Sequence, residues 1–145
     1  MRAGGGGASE FVFILEGDLE AVWVEMRQVM RQMGIQAEDE ELEMDRGHLR
    51  SRALSVPPQE LRCPGPDGVE RAPLAGATGV LTAHLRREGV YRTRATLAIE
   101  VRERSGCASR GTLERRIVER TERALRGRPA LLPFSRQAPT LAPRP

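Results

Sequence analysis

The chain has 145 residues, of which 39% are hydrophobic and 30% charged, and its formal net charge is +3. A chain of this length forms one domain around one core, and this balance of residue types is typical of globular proteins. The longest apolar run, from Phe11 to Leu15, is far shorter than the roughly 20 residues of a membrane-spanning helix, so such a helix is excluded.

The positive charge comes from arginine alone, because all 23 basic residues are arginines. They alternate with glutamates along most of the chain, so no single basic patch is visible. This pattern indicates a compositional bias of the genome as much as selection for phosphate contacts.

The two ends of the chain differ in composition from its middle. Residues 1–9 are rich in glycine and residues 128–145 are rich in proline and arginine. Such segments do not form a packed core, so both are predicted to be disordered. The folded domain is predicted to span residues 10–127.

The domain begins with a predicted strand and a predicted helix. The continuous apolar run at residues 11–15 predicts a strand that is buried on both faces or lies under a helix. After Gly17, Asp18 is predicted to cap a helix that ends at Gly34. Its apolar residues recur at three- and four-residue steps and predict one buried stripe that includes Trp23. We interpret this stripe as core, not as a cofactor contact.

The middle of the chain alternates between predicted strands and turns. Ile35, Ala37 and Asp39 predict a strand that continues into residues 40–43, three of which are glutamates. We interpret this acidic segment as a solvated edge or turn rather than a calcium site. Residues 48–56 predict a further strand with Leu49, Ser51 and Ala53 on one face. Residues 57–76 contain five prolines and predict a loop that does not pair along its length.

The strongest pattern lies between Leu81 and Val101. Alternate residues are apolar or small from residue 81 to 85 and again from Tyr91 onward, which predicts a long antiparallel hairpin with one apolar face. Ser109 or Thr112 is predicted to cap a second helix that ends at Gly127. Together these elements predict an α+β fold (β-α-β-β-β-β-α). In it, an antiparallel sheet of about five strands carries both helices packed on one face.

The residues alone do not decide whether Cys63 and Cys107 form a disulfide or remain reduced thiols. A bond between them would close a loop of about 45 residues and stabilise the fold by up to about 4 kcal/mol. Reduced thiols are favoured by the N-terminus, which has no apolar segment of signal-peptide length.

Metal binding and catalysis are both disfavoured. A zinc site that joins the cysteines to His48 and His84 would need four distant segments without a close ligand pair. A nucleophilic role for Cys107 has no local base, since His84 falls on the polar face of its strand. We therefore predict no catalytic residue, no metal and no cofactor.

A set of spaced residues resembles a known family. They are Cys107-x-Ser109-x-Gly111-x-Leu113-Glu114 at the final helix, Leu61-x-Cys63 before the hairpin, the Gly47 turn, and Val22, Trp23, Met26, Arg27, Val29 and Met30 in the first helix. Over residues 10–126 the chain resembles small bacterial envelope lipoproteins, and distantly the BamC accessory subunit of the outer-membrane β-barrel assembly machine. The resemblance implies a helix-grip-like domain, a periplasmic disulfide between Cys63 and Cys107, and no enzyme activity.

The predicted function is that of a non-catalytic, lipoprotein-like domain of the cell envelope, which acts as a protein-binding or scaffold module. We accordingly predict a protein partner in the envelope and no small-molecule substrate. The predicted location is the periplasm or the inner face of the outer membrane. If the chain starts as given, a cytoplasmic location is expected instead. Attachment to the membrane is expected only through a lipidated N-terminus outside this sequence.

The alternative function is a cytosolic nucleic-acid-binding module. It would use a sheet face that carries Arg50, Arg52, Arg92, Arg94 and Arg102. Sheet platforms for RNA normally expose aromatic side chains for base stacking, and aromatic residues are only 3% of this chain. The composition therefore favours the protein-binding function.

Overall fold

The computed structural model of the protein describes residues 9–38, 47–71, 73–103 and 106–127. The predicted disordered segments, apart from Ser9, and residues 39–46, which include the predicted acidic edge at 40–43, lie outside these residues. The elements in chain order are β1 (Glu10–Glu16), α1 (Leu19–Gln32), β2 (His48–Arg50), β3 (Leu54–Val56), β4 (Leu61–Pro64), β5 (Glu70–Arg71), β6 (Ala77–Gly89), β7 (Arg92–Val101), β8 (Ala108–Ser109) and α2 (Thr112–Gly127).

The long hairpin of β6 and β7 forms the centre of a five-stranded antiparallel sheet. The strand order is β1-β7-β6-β2, and β3 pairs with β6 further along the same edge. Leu81 lies opposite Ile99 and Ala83 opposite Leu97, and all four side chains are fully buried. The predicted α+β class and hairpin are confirmed. Tyr91, however, lies in the turn and is 53% exposed.

Both helices cover one face of this sheet and share a single core with it. Asp18 caps α1 by accepting a 2.8 Å hydrogen bond from the Ala21 N–H, and Gly34 follows the helix at a φ of +81°. Trp23 is buried in the predicted stripe and its Nε1 lies 3.4 Å from the His48 carbonyl oxygen. The stripe of α1 is thus part of the core.

Strand β1 lies at one edge of the sheet and pairs with β7 along its whole length. Leu15 is fully buried and Phe13 packs against the core, while Val12 and Ile14 are 54% and 41% exposed. Of the two predicted alternatives, burial on both faces is wrong, and the strand lies under a helix, because the helices cover only one side of the sheet.

The predicted strand at residues 48–56 is divided into β2 and β3 by a β-bulge. Between the pairs Arg50–Thr82 and Leu54–Gly79 the chain advances four residues against three on β6. The extra residue reverses the alternation, so Val56 is buried and Ala53 is exposed, contrary to the prediction. At the bulge the Ser51 hydroxyl accepts a 2.9 Å hydrogen bond from the Leu81 N–H.

Two further predictions about the middle of the chain are wrong. Residues 35–38 form no strand and contribute only an isolated bridge between Ala37 and Ser51. The segment 57–76 does pair: β4 lies between β5 and β8 in a small three-stranded sheet. The prolines allow this because residues 59–63 contain none, so their N–H groups are available as donors.

Candidate functional site

The outer face of the five-stranded sheet, opposite the helices, carries a polar surface that ends in an apolar edge. One row of neighbours across the strands consists of Val12, Thr96, His84 and His48. The next row consists of Glu10, Ala98, Thr82 and Arg50. We refer to this surface as the outer face.

Four arginines on and beside the outer face are paired with carboxylates. The nitrogen–oxygen distances are 3.5 Å for Arg50–Glu38, 3.4 Å for Arg92–Glu16, 3.0 Å for Arg94–Glu88 and 3.9 Å for Arg102–Glu100. The hydrogen bond from Arg94 lowers the pKa of Glu88 below its usual range. Positive and negative charges thus alternate over this surface, which does not form a continuous basic platform.

Arg52 does not share the outer face with the other predicted arginines. It lies in the bulge after β2 and lines a cavity together with Arg27 and Arg31 of α1. The reason is the extra residue in the bulge, which ends the strand alternation on which the prediction relied.

His48 and His84 are brought together by the pairing of β2 with β6. Their rings are stacked with centroids 4.3 Å apart and planes inclined by 26°. Sequence reasoning placed both residues on polar strand faces but had no signal for their contact, since strand register is a tertiary property. Within the described ranges, no group of three or more His, Cys, Asp or Glu side chains is arranged to hold a metal ion.

The apolar edge of the outer face is β1. In the described part of the chain β1 pairs only with β7, so its other side is an open sheet edge. Val12 and Ile14 face outward between Glu10 and Glu16, which gives this strand an acidic-apolar-apolar-acidic pattern on the outer face. A seven-residue strand with five consecutive apolar residues is an unusual edge, because exposed edges normally carry charges, prolines or bulges.

A disulfide joins Cys63 in β4 to Cys107 just before β8, with an S–S distance of 2.04 Å. The bridged alternative is therefore correct, and the reduced alternative is wrong. Neither sulfur is available as a zinc ligand or a nucleophile in this state. The bond is compatible with an oxidising compartment.

The segment after Cys107 forms a buried corner that leads into α2. Gly111 has a φ of +91°, and a Cβ atom there would lie 2.7 Å from the ring of Phe11. The carbonyl of Gly111 accepts the 2.9 Å hydrogen bond from the Arg115 N–H, so Gly111 directly precedes the helix. The predicted cap Ser109 lies further upstream, in β8, and its hydroxyl accepts a 3.1 Å hydrogen bond from the Gly111 N–H.

Glu114 is a fully buried carboxylate in the first turn of α2. Burial raises the pKa of Glu114, and the nearby charge of Glu60 adds to this effect, while the hydrogen bond from Ser109 opposes it. Glu60 is itself buried and accepts hydrogen bonds from Thr112 and Arg116. The spaced residues that carried the family resemblance at this helix therefore hold a structural corner together.

The architecture is that of an α+β domain with an open antiparallel sheet, two helices on one face and one disulfide. No helix in the described residues is long and apolar enough to span a membrane. Comparisons with models of known protein families and with curated proteins gave no match to this chain.

Proposed function

We propose that the protein is a non-catalytic protein-binding module of the cell envelope, similar to envelope lipoproteins, and that it binds an extended segment of a partner protein along β1. The observation that carries this proposal is the exposure of Val12 and Ile14, 54% and 41%, on an open sheet edge. The opposite face of the same strand is occupied by the protein's own core.

The open edge explains why the partner segment is extended. An edge strand presents a row of backbone N–H and C=O groups that a further strand can pair with. The seven residues of β1 offer this row along the whole strand. Main-chain hydrogen bonds would supply affinity, and the outward side chains of β1 would select the partner.

The side chains of β1 define the chemistry of that segment. Val12 and Ile14 would pack against apolar residues on the outward-facing side of the added strand. Glu10 and Glu16 flank them, so arginine or lysine at the two outer positions would complement the edge. We therefore propose a strand with two alternate apolar residues between two basic ones.

The compartment is part of the proposal. The Cys63–Cys107 bond supports an oxidising location, and the resemblance to envelope lipoproteins favours the periplasm or the inner face of the outer membrane. A cytosolic nucleic-acid-binding role is less well supported, because the ion pairs of Arg50, Arg92 and Arg94 already compensate much of the positive charge.

The proposal is tested by site-specific photo-crosslinking in the native host. A photoreactive residue replaces Val12 or Ile14 in one set of strains, and Arg120 on the exposed side of α2 in the control strain. We expect a defined adduct with an envelope protein from positions 12 and 14 and none from position 120. The Ile14→Lys substitution should weaken the adduct formed from position 12 while the thermal unfolding midpoint is retained.

Three results would contradict the proposal. They are equal adducts from strand and control positions, no adduct from positions 12 and 14, and adducts confined to ribonucleoprotein. The last result, together with salt-dependent binding of RNA or DNA by the purified protein, would instead support the nucleic-acid alternative.

A further inference from the structure

We infer that the cavity between α1 and the β2–β3 bulge is a binding site for a small organic anion with carboxylate or phosphate groups. The cavity has a volume of about 350 Å³ and is lined by Arg27, Arg31, Ile35, Gln36, Ala37 and Arg52. This inference goes beyond the proposed function and is independent of it, because β1 and β2 lie at opposite edges of the sheet.

Three arginines reach this cavity from two sides. Arg27 and Arg31 are one helical turn apart, so they project from the same side of α1. Arg52 approaches from the bulge, where its backbone N–H donates a 2.8 Å hydrogen bond to the Gln36 carbonyl. The bridge between Ala37 and Ser51 fixes the same wall. The bulge therefore positions the third cation opposite the other two.

The charges at this cavity contrast with those of the outer face. Among the residues that the structure describes, no residue that lines the cavity is acidic. In the described ranges no carboxylate lies within ion-pair distance of Arg31 or Arg52, and Arg31 donates a 3.3 Å hydrogen bond to the neutral side chain of Gln28. The like charges of Arg31 and Arg52 repel each other, and a bound anion would offset this repulsion.

The volume and the lining residues of the site indicate the class of ligand. Its volume lies within the range of small-molecule pockets, which is roughly 300–1,000 Å³. Guanidinium groups bind carboxylate and phosphate oxygens with paired hydrogen bonds, and Ile35 and Ala37 provide apolar contacts. A small organic molecule with two or more anionic groups fits this combination. Arg27 stacks over the Trp23 ring at 5.2 Å from its centroid, so its side chain is oriented before the anion arrives.

The single tryptophan provides a direct readout. Citrate, glycerol phosphate and inorganic phosphate are titrated separately into the purified protein at constant ionic strength, and Trp23 fluorescence is recorded. We expect a saturable change with citrate or glycerol phosphate, and a matching heat signal by isothermal titration calorimetry. Saturation with inorganic phosphate alone would contradict the organic-anion class.

Variants identify the residues responsible. Arg31→Gln and Arg52→Gln should each weaken binding by about tenfold or more, because each removes charge-assisted hydrogen bonds. Arg120→Gln makes the same change of charge on the exposed side of α2 and should leave binding unchanged. Circular dichroism confirms that each variant is folded. Absence of saturation, or equal weakening by all three variants, would overturn the inference and leave Arg31 as a complement to the helix C-terminus.

Discussion

The hydroxyl of Ser109 donates a 2.9 Å hydrogen bond to the carboxylate of Glu114, and both side chains have no exposed surface. The same hydroxyl accepts the Gly111 N–H, so one oxygen connects β8, the turn and the first turn of α2. The conformation of the chain at this corner therefore depends on a small cluster of polar groups that the core encloses.

Replacement of Ser109 tests the contribution of this cluster. Ser109→Ala leaves the Glu114 carboxylate and the Gly111 N–H without these partners, so we expect a loss of roughly 1–3 kcal/mol in the free energy of unfolding. The measurement is urea unfolding followed by circular dichroism. Ser55→Ala on the exposed side of β3 is the control and should change stability by no more than about 0.5 kcal/mol. Equal effects would show that the cluster is unimportant.

The raised pKa of Glu114 predicts a specific pH dependence. Because the folded-state pKa lies above the ordinary value of 4.5, the native state binds more protons than the unfolded state between the two values. The Glu114 contribution therefore lowers stability as pH rises through this window above 4.5, and the destabilisation disappears below it.

Glu114→Gln removes this titration. The free energy of unfolding of the variant minus that of the wild type should be larger at about pH 7.5 than at about pH 4. Urea unfolding of both proteins at both pH values measures this difference. Glu119→Gln on the exposed side of the same helix is the control. A stability difference that is the same at both pH values would contradict the prediction.

The disulfide should contribute strongly to stability. Cys63 and Cys107 are 44 residues apart, and the chain-entropy relation gives about 4 kcal/mol for a loop of this length. We expect the double variant Cys63→Ala/Cys107→Ala to lose up to this amount in urea unfolding. A reductant should destabilise the wild type and leave the double variant unchanged. A wild type that is insensitive to complete reduction would contradict the prediction.

Two glycines allow backbone strain to be separated from steric contact. Gly34 and Gly111 have φ values of +81° and +91°, but only at Gly111 would a Cβ meet another side chain, the Phe11 ring. Gly34→Ala should cost about 1–2 kcal/mol from the left-handed backbone alone. Gly111→Ala should cost more, and the difference in unfolding free energy reports the contact with Phe11. Equal costs would show that Phe11 moves aside freely.

The parts of the fold that the sequence predicted correctly are those in which periodicity reports burial. The stripe of α1 and the alternation of β6 and β7 are long enough to average over exceptions. The bulge between β2 and β3 was missed because one extra residue changes the phase without a glycine or proline to mark it. The pairing of β4 was missed because the prolines around Leu61 and Cys63 concealed a short strand.

The candidate site was harder to predict because it depends on register. The contact between His48 and His84 and the separation of Arg52 from Arg50 follow from strand pairing, which single residues do not encode. The burial of Glu114 did leave a signal. Glu114, Ile117, Val118 and Thr121 follow the spacing of one helical face, and all four are buried. The charge of Glu114 had obscured this spacing.

The covalent link between Cys63 and Cys107 encloses the central hairpin in a closed ring of polypeptide. Leu74 lies within that ring and its side chain is completely exposed, which makes the adjoining backbone a natural target for proteases. A single cut there would yield two pieces that stay together as one molecule and separate on a gel only after a reducing agent is added. Cleavage of the backbone at this position would therefore leave both parts of the sheet covalently joined.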